Sequence, residues 1–295
     1  MEWKGKRESD NVRDARGESS GGFGGGGGGG ALGLLMTIGR IFGFKGILAA
    51  LIFGGVLWKM GLLDPSMLSG GSPSGQSAQV SAEDNERFDF VKVVMAGTED
   101  VWKQEFARIG RQYVPPGVKV YRGQTRTACG VGSAAMGPFY CPGDQMVYID
   151  LSFYDELAQT FNSPGDFAQA YVLAHEVGHH VQKLLGTSDK VAAMRGRPDY
   201  NEWSVRLELQ ADYYAGVWAK HSQQYFKLDR SDIQEAMTAA NAIGDDMIQK
   251  KSQGRVTPEA FTHGTAAQRM RWFNKGLQSG QIEGGDTFSQ AYREL

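Results

Sequence analysis

Apolar and polar positions change their pattern several times along the chain. Residues 1–38 are polar and then glycine-rich, with seven consecutive glycines at 24–30. Such a stretch buries too little apolar surface to offset the entropy of ordering it, so 1–38 is expected to be disordered. From Arg40 to Asp64 the chain reads RIFGFKGILAALIFGGVLWKMGLLD. Its charge-free core, 46–58, is only 13 residues long, short of the roughly 20 that a spanning helix needs. Lys45 and Lys59 can snorkel, which extends the apolar run to 41–63 and leaves Trp58 at an interface. A single transmembrane helix over 39–63 is expected. A buried core helix or a signal-peptide core, with cleavage near Ser77, are the alternatives. Residues 64–81, rich in Ser, Gly and Pro, read as a flexible linker, and 82–295 as the folded domain.

Within that domain, Phe88, Val91, Val94, Val101, Trp102, Phe106 and Ile109 fall at helical spacing, and Thr98-Glu99-Asp100 reads as a helix start. Residues 118–123 and 145–154 alternate as strands. Further helices are expected over 165–185, stopped by Gly186, over 202–222, and over 231–253. The last of these opens with a Ser231–Gln234 capping box and closes at Gly254. Another starts near Thr265, with Thr265 and Gln268 as a second box. Helices dominate, so the fold class is α+β, mostly helical with a small sheet.

Composition adds topology. Of 295 residues 41% are hydrophobic and 22% charged, and the net charge of -2 gives no basic surplus, so no nucleic-acid partner is expected. Seven basic residues (Lys4, Lys6, Arg7, Arg13, Arg16, Arg40, Lys45) precede the apolar core and only Lys59 closely follows it. The positive-inside rule then keeps the N-terminus cytoplasmic and exports the domain to the periplasmic or extracellular side. Cys129 and Cys141 are separated by a Gly-, Ser- and Pro-containing loop. A disulfide there constrains the unfolded chain by roughly 3 kcal/mol and belongs outside the cytoplasm. The other reading is two reduced thiols packed as small hydrophobes. Neither thiol has a second Cys or His pair at zinc-finger spacing.

The chemistry centres on VLAHEVGHHVQ, residues 172–182. His175 and His179, four apart on a helix, leave the same face one turn apart and can share one zinc ion. Glu176 is about 100° round the helix, within reach of the open side of such a metal as general base. Gly178 leaves room for a substrate or a neighbouring strand. His180, about 140° off the ligand face, reads as a packing residue. An open catalytic zinc site needs a third protein ligand. Glu208 and Asp212, again four apart, sit in VRLELQADYYAGVWAKH among residues that mark a largely buried helix, and buried carboxylates require partners. One can bind metal while the other fixes a histidine tautomer.

HEVGHH followed by ELQAD is similar to the gluzincin pattern of H-E-x-x-H then E-x-x-x-D. With TACG, AMGPFYCP and VYIDLSFYDEL, residues 82–278 resemble the neutral zinc metallopeptidase family of bacterial membranes. The resemblance implies a zincin-like fold, one Zn2+ held by His175, His179 and Glu208, and Glu176 as base, with Asp212 supporting a ligand. A rival assignment makes Asp212 the third ligand, since ADYYAG faintly resembles another zinc-peptidase group. THGTAAQRMRWF, 262–273, is similar to a Thr-His…Arg segment of membrane-linked gluzincins. It implies His263 as a donor to the oxyanion and Arg269 as the partner of a site carboxylate. A solvent-facing histidine in a capping loop is the other reading, and Tyr213 and Tyr214 are alternative donors. By fold analogy the strand at 145–151 binds substrate at a sheet edge. The expectation is a membrane-anchored zinc endopeptidase acting on a peptide or protein substrate. The alternative is an anchored binding or scaffold protein with a structural or occluded zinc site.

Overall fold

The computed structural model describes residues 1–18 and 80–295. The expected transmembrane stretch 39–63, the glycine run and most of the linker lie outside these residues. Among the described residues, no helix is long and apolar enough to cross a membrane.

A mixed α+β body forms from eight α-helices and two small sheets in this described part. Strand β1 is Val12–Ala15, followed by α1 (Ala82–Arg108), β2 (Gly117–Tyr121), β3 (Gln124–Thr127), β4 (Gly130–Ser133), β5 (Phe139–Cys141) and β6 (Met146–Asp150). Then come α2 (Ser152–Gln159), α3 (Asp166–Leu185), α4 (Thr187–Ala192), α5 (Tyr200–Tyr225), α6 (Arg230–Ala242), α7 (Asp245–Gln253) and α8 (Ala266–Ser279). The main sheet has the order β1-β2-β6-β5, with β1, β2 and β6 parallel and β5 antiparallel at one edge. β3 and β4 form a separate hairpin. A disulfide joins Cys129, after β3, to Cys141 at the end of β5.

Helix α3 is buried round most of its circumference, from Phe167 to Gln182, and packs on α1, α5 and α6. The only way to bring two such helices close is to remove side chains between them. A Cβ on Gly178 of α3 would stand 2.9 Å from the Ala211 carbonyl oxygen of α5. Gly178 is therefore room for a neighbouring helix, not for a strand. On the other side of α5, a Cβ on Gly216 or Gly276 would overlap backbone of the opposing helix, so α5 and α8 also meet backbone to backbone.

Several expectations need correction. Residues 1–18 are ordered: Trp3 is buried, β1 pairs with β2 in register Val12↔Val118 to Ala15↔Tyr121, and Arg16 is buried. Composition averaged this segment with the glycine run, although its own residues find tertiary partners. Thr98 does not start a helix. Ser81 caps α1 by accepting the Asp84 N–H (3.0 Å), and Thr98 sits buried mid-helix with its hydroxyl donated to the Met95 carbonyl. The stretch 231–253 is two helices. Asp229 and Asp232 form the box that opens α6, and the chain breaks at Gly244. There a Cβ would meet the Ala266 backbone, so α6 cannot simply continue. Finally, β6 is an interior strand paired on both sides. Residues 146–148 have neighbours on both sides and leave no room for a peptide strand beside them; the edges of the sheet are β1 and β5.

Candidate metal centre

Helix α3 brings His175 and His179 to one face, with rings 4.8 Å apart and nearly perpendicular. The close α3–α5 approach at Gly178 carries Glu208 to them: Glu208 Oε2 is 3.2 Å from His175 Nε2 and 3.5 Å from His179 Nε2. One donor atom from each of the three lies within 4.8 Å of the others. Ligands on a tetrahedral ion with bonds of about 2.0–2.1 Å stand about 3.3 Å apart, so this donor set fits a zinc-sized cation.

The other nitrogen of each ring decides whether that fit is chemical as well as metric. His175 Nδ1–H donates to Asp212 Oδ1 at 2.8 Å, and His179 Nδ1–H to Gln182 Oε1 at 2.9 Å. Both tautomers are thereby fixed with the Nε2 lone pair facing Glu208, the arrangement that a metal-bound imidazole uses. Gln182 is held in turn by donating to the Leu207 carbonyl (2.6 Å) and to Gln210 (3.1 Å).

Asp212 is fully buried. Arg269 of α8 clamps it through Nε and an NH2 group, each at 2.9 Å, and Tyr171 donates its hydroxyl at 2.6 Å. Burial acts most strongly and favours the neutral acid, but Arg269 and His175 outweigh it and hold Asp212 down to about 2. Asp212 is thus an anion between Arg269 and the outer nitrogen of His175. The imidazole stands between it and the three-residue donor group, which does not include Asp212.

Glu176 is buried beside the cluster. Burial raises its pKa, and His179 and His175 beside it oppose this. β5 packs against α3, the helix that carries Glu176. His263 follows α7 with its side chain half open to solvent, against Asp245 at 3.3 Å. Burial works against its charged form, yet the Glu208 and Asp245 carboxylates raise its pKa to about 9. Asp245 also accepts the backbone N–H groups of Thr262 (2.6 Å), His263 (2.7 Å) and Gly264 (3.2 Å), pinning the loop that carries the histidine.

Other candidates are placed elsewhere. His180 donates Nε2–H to the Val114 carbonyl (2.7 Å) and accepts from the Tyr140 hydroxyl (3.0 Å), as a packing residue does. Tyr213 donates its hydroxyl to the Gln281 carbonyl (2.7 Å), and Tyr214 packs edge-on against Trp102. Sequence reasoning missed Gln182, Tyr171 and Asp245. The first two sit three residues after His179 and four before His175, so helical spacing from the ligands was an available signal. Asp245 carried none.

Comparison with known proteins agrees with this geometry. The family model described as "Putative neutral zinc metallopeptidase" matches residues 1–288. The chain is 46% identical over 303 residues to "Uncharacterized protein YpfJ" of Escherichia coli (strain K12), covering 99% of this chain and all of that one. It is 43% identical over 221 residues to "Uncharacterized protein Rv2575" of Mycobacterium tuberculosis (strain ATCC 25618 / H37Rv), covering 70% of this chain and 73% of the relative. No solved structure gives a significant match. Because the matched span includes both N-terminal β1 and the three-residue donor cluster, the chain belongs to the neutral zinc metallopeptidase family.

Proposed function

We propose that the protein is a zinc-dependent endopeptidase, with His175, His179 and Glu208 as metal ligands and Glu176 as general base. The observation that carries this reading is the convergence of two tautomer-fixed Nε2 atoms and one carboxylate beside a second, buried carboxylate. Zinc bound there would supply Lewis-acid polarisation of the scissile carbonyl and of the attacking water. Glu176 takes a proton from that water and returns it to the leaving amine. His263 donates to the carbonyl oxygen as negative charge develops on it. Asp212 and Gln182 hold the two imidazoles in position, and Arg269 keeps Asp212 ionised.

β5 packs against α3, and a peptide added to its free edge would be recognised largely through the main chain, with only modest sequence selectivity. The apolar stretch 41–63 makes a membrane-attached peptidase the preferred form of the reading.

The test is digestion of a peptide library by the wild type and by Glu176→Gln, each with and without a chelator. Cleavage that needs both the metal and Glu176 is expected. Full activity in Glu176→Gln would refute the mechanism. A wild type that binds zinc and cleaves nothing would favour a binding or scaffold protein with a structural zinc.

A further inference from the structure

The N-terminal residues are bound into the body of the domain at several independent places. Trp3 packs edge-on against Phe90 of α1 and donates its indole N–H to Asp166, the first residue of the helix that carries the histidines (3.0 Å). Glu99, buried in α1, takes its hydrogen bonds from Ser9, Asn11 (2.8 Å) and Arg7 (3.2 Å), all on the N-terminal segment. Removing that segment would leave a buried carboxylate without these partners, which is costly. β1 adds the outermost parallel strand of the main sheet. Arg16 stacks on Phe88 and donates to the Asp84 carbonyl (2.6 Å) and to Asn85 (3.1 Å).

That last contact fixes where the chain leaves and returns. Residue 16 touches residues 84 and 85, so the stretch between 18 and 80 begins and ends at one corner of one folded body. Residues 1–18 and the metal centre must then occupy the same compartment. A single crossing by the apolar stretch would put Arg7 and Glu99 on opposite sides of a bilayer. A double crossing needs two runs of roughly 20 apolar residues. The chain from 19 to 79 offers one such run, 41–63, flanked by a glycine tract and by Ser/Gly/Pro-rich sequence.

We propose that the N-terminal strand and the metal centre lie in one compartment, on the same side of any membrane that the apolar run 41–63 meets. The inference rests on β1, Glu99 and Arg16, and it stands whether or not the site cleaves peptides. It has a consequence for the two topological cues. The basic residues ahead of the stretch favour a cytoplasmic N-terminus, whereas the Cys129–Cys141 disulfide favours an oxidising compartment for the domain. With both halves in one body, only one of these cues can prevail.

The test uses the full-length chain in intact cells, with single cysteines introduced at exposed Asp10 or Arg255 and a membrane-impermeant maleimide as the probe. Asp10→Cys and Arg255→Cys should behave alike, both labelled or both protected until the membrane is opened, and the shared outcome reports the compartment. Labelling of one and protection of the other would overturn the proposal.

Discussion

Substitution of Asp212 by Asn tests the support beneath the proposed metal ligands. Asn keeps the shape of the side chain and can still accept the His175 N–H. It loses the negative charge, however, and turns an NH2 group toward Arg269 or the Tyr171 hydroxyl, where both oxygens of Asp212 now accept. The guanidinium of Arg269 is buried with only 3% of its side chain exposed, so it would be left as an uncompensated charge. Removing one member of a buried pair costs about 3–5 kcal/mol, which corresponds to a fall in Tm of roughly 10 °C for a body of this size. Zinc affinity should fall about 10- to 100-fold, because the His175 ring loses its charged partner. Thermal unfolding of chelator-treated protein measures the first effect, and competition against a chromophoric chelator the second. The double variant D212N/R269M removes the orphaned charge along with its partner. It should recover most of the stability and none of the zinc affinity. A D212N protein that, stripped of metal, melts within about 2 °C of the wild type would refute the claim that the ion pair is buried and paired.

Three further outcomes are expected. Gln182→Leu removes the acceptor of His179 Nδ1–H and should weaken zinc binding about 10- to 100-fold, measured by the same competition; unchanged affinity would show that the tautomer is set by something else. Gly178→Ala places a methyl 2.9 Å from the Ala211 carbonyl oxygen. It should cost about 1–3 kcal/mol as overpacking and also lower zinc affinity, since Glu208 rides on the displaced helix. Glu156, half-buried in α2, has its pKa raised by burial to about 7. Its folded form therefore holds a proton more tightly than the unfolded chain does, and stability is lost as pH rises from about 4.5 through 7. Glu156→Gln should accordingly be the more stable protein above pH 7, by about 1–2 kcal/mol once solvent screening reduces the full shift, and equal to the wild type below pH 4. Tm measured across that range checks it.

Local sequence was enough wherever a feature depends on residues a few positions apart. The 3.6-residue repeat placed the histidine-bearing helix within a residue of α3, and the Thr265–Gln268 capping box of α8 is present as read. The four-residue spacings of His175 with His179 and of Glu208 with Asp212 put each pair on one helix face by geometry alone. The same logic failed where a neighbour distant in the chain decides. Thr98 has the local chemistry of a cap, but Trp218 and Phe226 crowd the adjacent Gly97, and the helix runs through. Residues 231–253 hold a helical pattern, yet Ala266 and the Asp245 contacts with the 262–264 loop impose the break at Gly244.

By itself the sequence determined which residues can hold a metal, because donor type and helical period are local properties. It determined too that an apolar run of limited length lies between 40 and 64. Only the tertiary structure decided that Glu208 faces the histidines while Asp212 stands behind one of them. The distance between α3 and α5 at Gly178 and the reach of Arg269 from α8 set that choice, and both are contacts between chain segments far apart in sequence. Only the tertiary structure, likewise, decided that a polar N-terminus is a strand of the main sheet. Its stability comes from partners such as Glu99 and β2, about 90 or more residues away, and no local pattern records them.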